Sequence, residues 1–198
     1  QWEEKGAEFI HIVDLDGAKS GQSINESIIL DIAKQVQVPI QVGGGIRSME
    51  TVERYLEAGV NRVIIGTAAI QDRTFLQEAV SKYKKRIVVS LDAKNGYVAT
   101  DGWTDTSDVK ALELVKDLET IGVQTIVYTD IAKDGMLQGP NLAEQKAINE
   151  ATSMDVIASG GVTTLDDVEQ LRKLNLYGAI VGKALYDGKV TLEELLTK

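Results

Sequence analysis

The chain has 198 residues, 43% apolar and 26% charged, a composition that fits one folded domain with a sizeable core and excludes a disordered or fibrous chain. Lys and Arg total 21 against 30 Asp and Glu, and the net charge of -9 works against broad association with nucleic acid or an anionic membrane. There is no cysteine and one histidine, which leaves carboxylates, lysines and backbone amides to carry any chemistry and gives no cue for a metal site.

Short runs rich in Val and Ile alternate with longer segments of helical period, the pattern of βα units on a parallel sheet. The opening residues around Trp2 read as a helix packed on that sheet. In chain order, strand 9–14 leads to helix 25–35, strand 39–42 to helix 48–58, strand 62–65 to helix 72–82 and strand 87–92 to helix 106–120. Strand 124–130 then leads to helix 142–151, strand 155–159 to helix 165–174 and strand 178–181 to helix 192–196. The apolar runs are strand-sized, too short to span a bilayer, and no basic segment with an apolar stretch marks an export signal, so a cytoplasmic location is expected.

An internal repeat organises these units. Residues 39–72 align without gaps with 155–188 at a constant offset of 116, which pairs Gly44 with Gly160, Gly45 with Gly161, Glu53 with Glu169 and Gly66 with Gly182. The same register extends upstream, so the repeat covers 6–72 and 122–188, and Asp14 faces Asp130 while Asn25 faces Asn141. The expected fold is a single α/β domain over 1–198, a (β/α)8 TIM barrel made of two half-barrels. The register leaves the strand ending at Asp92 without a counterpart, so the first strand of the barrel is expected to lie before Gln1; a complete seven-stranded α/β sheet is the alternative.

In such a barrel the active face is the C-terminal end of the strands. Asp14, Asp16, Asp92, Asp130 and Asp134 all follow strands there. Asp92 shares a strand face with Ser90 and is the candidate acid or base; Asp130, beside the hydroxyl of Thr129, is the second candidate. For each, the alternative is a carboxylate that only caps the next turn. The turns GGGI at 43–46, IGTA at 65–68, SGGV at 159–162 and VGKA at 181–184 enter helices from strands and suit phosphate groups. They make Gly44, Gly45, Gly66 and Thr67 one cradle and Gly160, Gly161, Gly182 and Lys183 another, as a ligand with two phosphates would need. Arg47 follows the first cradle where the repeat has Thr163, so the symmetry breaks at a place suited to a substrate contact. Trp103, in the polar segment TDGWTDTS, is read either as a loop residue or as a lid that stacks on a planar ligand. His11 lies mid-strand and reads as a packed core residue, and Lys84, Lys85 and Arg86 read as a solvated face.

The motifs HIVDLDGAKSG, VGGGIRS, VIIGTAA, SLDAKNG, YTDIAKDGMLQGPN, IASGGV and AIVGKAL together resemble the histidine-biosynthesis isomerase family, from Phe9 onward. The resemblance implies a cofactor-free Amadori rearrangement of an N-linked ribosyl phosphate from its aldose to its ketose form, with a small phosphoribosyl substrate and a monomeric enzyme. It places the acid at Asp92 and the base on an Asp of a first strand not found in this sequence. It makes Thr129 and Asp130 supporting residues near the ribose, Arg47 and Trp103 substrate-ordering residues, and the glycine turns two phosphate sites. Lys133 and Met136 stand where the family pattern usually has Arg and Thr. Alternatives are the related cyclase subunit of imidazole glycerol phosphate synthase, a bifunctional isomerase that also accepts phosphoribosylanthranilate, and a non-catalytic binder of phosphorylated ligands.

Overall fold

The computed structural model of the chain describes residues 1–197. β1 (Ile10–Val13) is followed by α1 (Leu15–Ser20) and α2 (Glu26–Gln35), β2 (Ile40–Gly43) by α3 (Met49–Glu57), and β3 (Arg62–Ile65) by α4 (Thr67–Gln71) and α5 (Arg73–Tyr83). A 3-10 turn, Lys84–Arg86, leads into β4 (Ile87–Lys94), after which β5 (Tyr97–Thr100) and β6 (Asp105–Lys110) precede α6 (Ala111–Ile121). The chain continues through β7 (Thr125–Asp130), α7 (Leu142–Glu150), β8 (Asp155–Ser159), α8 (Leu165–Lys173), β9 (Gly178–Ala179), α9 (Lys183–Tyr186) and α10 (Leu192–Leu196). Seven strands pair in parallel in the order β1-β2-β3-β4-β7-β8-β9, and β5 and β6 form an antiparallel hairpin hung on the end of β4. Parallel strands in chain order with helices between them are the architecture of a TIM-type β/α barrel.

Strand alternation divides the core into two layers. Val63, Ile65, Val89, Leu91, Ile126, Tyr128 and Val156 face outward and pack beneath the helices, whereas Ile64, Val88, Val127 and Ile157 form a separate inner cluster. The helices answer with matching stripes: α3 buries Val52, Tyr55 and Leu56, and α5 buries Phe75, Leu76, Ala79 and Val80. Side-chain caps fix where they start, Ser48 accepting from Thr51 N, Asp72 from Phe75 N, and Thr164 forming a reciprocal capping box with Asp167. The inner layer matters for chemistry, because two residues beyond Val88 and Val127 on the same face come Ser90 and Thr129, and then Asp92 at the mouth.

Several expectations are corrected. The residues around Trp2 are not helical but a series of turns, with Lys5 N on Gln1 O at 3.2 Å and Gly6 N on Glu3 O at 2.9 Å, closed by Gly6 at φ +91°. A single turn with a left-handed residue at its end cannot propagate. Trp2 instead packs edge-on against Tyr186, with ring centroids 6.1 Å apart. The helix expected at 106–120 begins only at Ala111, since Asp105–Lys110 is the second strand of the hairpin. The strand expected at 178–181 is reduced to Gly178–Ala179, at the end of the sheet order. The short helices α1, α4 and α9 were not anticipated. The two halves share backbone conformations at the offset of 116: Gly44 and Gly160 have φ of +104° and +94°, and Gly45 and Gly161 +73° and +80°. Where the first half has Gly21 and Gly59, the second holds Leu137 and Asn175 in the same left-handed region.

Candidate active site

Two of the strand-terminal aspartates are structural clasps. Asp14 is buried and accepts from Gly17 N, Ile24 N, Asn25 N and Asn25 Nδ2, each at 2.8 Å, tying both ends of the first βα loop together. Burial works to raise its carboxyl, but the bonds from Asn25, Gly17 and Ile24 outweigh that and hold it below the usual value. Asp130, also buried, accepts from Ala132 N at 2.9 Å and Asn141 Nδ2 at 2.8 Å, so the aspartate and asparagine paired by the repeat are bonded in both halves. The glycine pairs serve these clasps. A Cβ on Gly44 would run into the backbone of Asp14, and one on Gly160 would lie 2.8 Å from Asp130 O. Gly45 likewise abuts the backbone of Gly17 and Gln22, and Gly161 that of Gly139. Gly66 and Gly182 differ: a Cβ there would meet nothing within 4 Å among the described residues, which leaves both turns open at the mouth. In the second half Gly160, Gly161, Gly182 and Lys183 line a small cavity of about 80 Å3 together with Asp134. Lys183 Nζ pairs there with Asp187 at 2.9 Å.

Asp92 stands on the inner face of β4, in register with Thr129 on β7. Ser90 Oγ donates to one of its oxygens at 3.1 Å and the Trp103 indole donates to the other at 2.7 Å. Trp103 gets there because the segment that carries it is the tip of the β5–β6 hairpin, folded over the mouth. The same tip reaches the first cradle: Arg47 Nη2 meets Asp101 Oδ1 at 2.9 Å, Gln71 donates to Asp101 Oδ2 at 3.2 Å, and Asp101 N donates to Thr67 Oγ1 at 2.9 Å. The Arg47 hydrogen bond and charge hold the Asp101 carboxyl below its ordinary value. Asp92, Arg47, Thr67 and Trp103 are thus joined by one hairpin, while the second-half glycines and Lys183 line a separate side of the mouth.

Asp134, on the loop after β7, was named in the sequence only as one of several strand-end carboxylates. It stands at the lip of the cavity with much of its surface in solvent, and partial burial, followed by the negative charge of Asp92, raises its carboxyl. Two carboxyls, Asp92 and Asp134, thus stand at one mouth. Asp101 and Gln71 carried no signal in the sequence beyond lying near Trp103 and Thr67. His11 is a packed residue: burial, and then the charge of Arg62, lower it to about 4, so its neutral Nδ1 accepts from the Gln41 amide at 3.0 Å.

Among known families, the model described as histidine biosynthesis protein matches residues 1–191. A protein of Oceanobacillus iheyensis named 1-(5-phosphoribosyl)-5-((5-phosphoribosylamino)methylideneamino) imidazole-4-carboxamide isomerase is 60% identical over 196 residues, 99% of this chain and 82% of that protein. Proteins of the same name from Clostridioides difficile (strain 630) and Bacillus cereus (strain G9842) are 56% and 53% identical, each over 98% of this chain and 81% and 82% of their own lengths. With a family match over nearly the whole chain and relatives more than half identical to it, the chain belongs to the histidine biosynthesis protein family.

Proposed function

We propose that the chain is an aldose–ketose isomerase that carries out an Amadori rearrangement on the bisphosphate substrate named by its relatives. The observation that carries this is the carboxylate of Asp92, set on the inner face between Ser90 and Trp103 and flanked by two open glycine turns, Gly66 and Gly182. A substrate with a phosphate at each end would span those turns and lay its ribose across Asp92. Ring opening needs a proton on the ribose ring oxygen as the C1–O bond breaks, with the electron pair of the attached nitrogen forming the iminium. Asp92 is the acid we assign to that proton, and Asp134, a second carboxyl at the same mouth, stands near enough to feel its charge. Loss of the C2 proton then gives an enolamine, which takes a proton at C1 and gives up the proton of its C2 hydroxyl to become the ketone.

The 116-residue register supports a mouth built from two like halves, since it matches β1, β2 and β3 with β7, β8 and β9. Thr129, in register with Asp92, is placed to bond a ribose hydroxyl, whereas Asp130 acts through its clasp on the loop that carries Asp134. Arg47, Thr67 and Trp103 serve the first phosphate and the planar part of the substrate. The reaction calls for no cofactor, and the reading carries with it a cytoplasmic, monomeric enzyme; no helix among the described residues is long and apolar enough to cross a membrane. The test is turnover of the bisphosphate substrate, followed by NMR of the ribose carbons, by the wild type and Asp92→Asn in the full-length protein. The substitution keeps the shape of the side chain, and we expect kcat to fall by at least about a hundredfold. Turnover at the wild-type rate would reduce Asp92 to a loop cap.

A further inference from the structure

A second cavity, of about 300 Å3, lies on the outer side of the sheet, where Tyr128 faces the helices. That volume is at the lower end of what small-molecule sites enclose. The turn Asn95–Gly96 after β4, the start of α6 and one face of α7 line it. Tyr97, Ala111, Leu112 and Ile148 give it an apolar wall, and Tyr97 and Leu112 are large apolar side chains left exposed to solvent. Two charges of opposite sign border that wall. Glu144 takes the Tyr128 hydroxyl on one oxygen at 2.8 Å, and its other oxygen has no partner among the described residues. Burial, followed by the Glu144 bond, pushes the Tyr128 phenol up, so it keeps its proton and stays a donor. Lys110 pairs with no carboxylate among the described residues, Glu144 included. The barrel itself does not call for the Tyr128–Glu144 pair, because the first half of the repeat has Ile12 and Ile28 at the corresponding positions.

We propose that this cavity is a binding site for a free α-amino acid with an apolar side chain, its ammonium on Glu144, its carboxylate on Lys110 and its side chain against Tyr97, Leu112 and Ile148. Charge complementarity selects this class. A phosphorylated ligand would set its charge against Glu144, and a polyamine would set its own against Lys110. A purely apolar ligand would strip water from both charges and replace it with nothing. A zwitterion with an apolar body meets the two charges and covers the exposed wall at once. The site is separate from the mouth: Tyr128 points outward, whereas its neighbour Thr129 is on the inner face in register with Asp92. The inference therefore stands apart from the proposed isomerisation.

The test is amide NMR of the isotope-labelled protein titrated with L-phenylalanine and with L-leucine. Both are expected to shift the amides of Gly96, Leu112 and Ala147, with dissociation constants of about a millimolar, the range open to ligands of so few atoms. Phenethylamine lacks the carboxylate and hydrocinnamate lacks the ammonium. Each is expected to bind about tenfold more weakly than L-phenylalanine, since each forgoes one charge-assisted contact. Glu144→Gln, which keeps an acceptor for Tyr128, should weaken L-phenylalanine about tenfold and cost hydrocinnamate nothing. Lys110→Met should weaken L-phenylalanine to the same degree and cost phenethylamine nothing. Equal binding by all three phenyl compounds would make the cavity a plain apolar groove and overturn the proposal. Shifts confined to the mouth, around Gly66 and Gly182, would overturn it as well, as would no shift at the cavity up to about 10 mM of either amino acid. Should Glu144→Gln not fold, the comparison of the three compounds on the wild type and on Lys110→Met, an exposed position, decides alone.

Discussion

Replacing Asp14 by alanine is expected to cost far more than replacing its repeat partner Asp130, although both are buried strand-end aspartates. Asp14 satisfies four donors at 2.8 Å, three of them backbone N–H groups, whereas Asp130 satisfies two, the backbone Ala132 N and the side-chain Asn141 Nδ2. A buried donor left without its partner costs about 1–3 kcal/mol, and water reaches the partly buried Ile24 and Asn25 more easily than Gly17, so Asp14→Ala should lose about 3–5 kcal/mol and Asp130→Ala about 1–3 kcal/mol. Urea unfolding with linear extrapolation measures both. The charge contributes as well as the shape. The folded carboxyl of Asp14 lies below the unfolded value of 3.8, so its stabilisation is fully present above that pH and is lost as pH falls through the folded value. The difference between the wild type and Asp14→Asn should therefore shrink on acidification below about pH 4. An Asp14→Ala protein within 1 kcal/mol of the wild type, or an Asp130→Ala protein that loses more, would refute the assignment of Asp14 as the stronger clasp.

Further outcomes follow from the same structure. His11 is depressed from 6.5 to about 4 in the folded state, so its contribution to stability is complete above pH 6.5 and is lost as pH falls toward 4; His11→Gln should flatten the wild-type stability curve in that window, by up to about 3 kcal/mol at 1.36 kcal/mol per unit. Gly44→Ala must fit a Cβ against the Asp14 backbone at φ +104° and should lower stability by more than about 1 kcal/mol in thermal or urea unfolding. Crystals grown in phosphate or sulfate should hold anions at two places, near Gly66 and Thr67 and near Gly182 and Lys183; density at one place alone would argue against a ligand with two phosphates.

The parallel core was legible in the sequence because it is encoded locally: each strand is a short Val and Ile run, and each following helix begins at a cap such as Ser48, Asp72 or Thr164. The hairpin was not. Asn95 and Gly96, both left-handed at φ +53° and +79°, are the signature of a tight two-residue turn, but the strand that returns, DTSDVK, is polar and exposed and has no apolar alternation to mark it. Its strand conformation comes from pairing with β5, a contact between residues up to thirteen apart, and the local pattern alone points to a helix start at Thr106. The candidate site divided along the same line. Asp92 and Ser90 were found from strand period, which survives folding unchanged. That Asp14 and Asp130 spend their carboxylates on loop backbone, and that Trp103 bonds Asp92, depends on how loops fold back, which no periodicity reports. Asp134 lies on such a loop, and only its nearness to Asp92 sets it apart from the other strand-end acids.

The clasps also separate the barrel from what is mounted on it. Asp14 and Asn25 pin the two ends of one loop, and Asp130 and Asn141 the two ends of another, each within 2.8 Å of the next. Between the pins, the residues at 21–24 and 131–140 belong to neither strand nor helix. Lengthening a pinned loop costs little, since doubling it adds only about 0.6 kcal/mol of closure entropy. Insertions in either segment should thus leave the sheet register and the inner layer untouched, so that new substrate contacts can be grafted onto one half of the barrel while the other half, with its own pins, keeps its geometry.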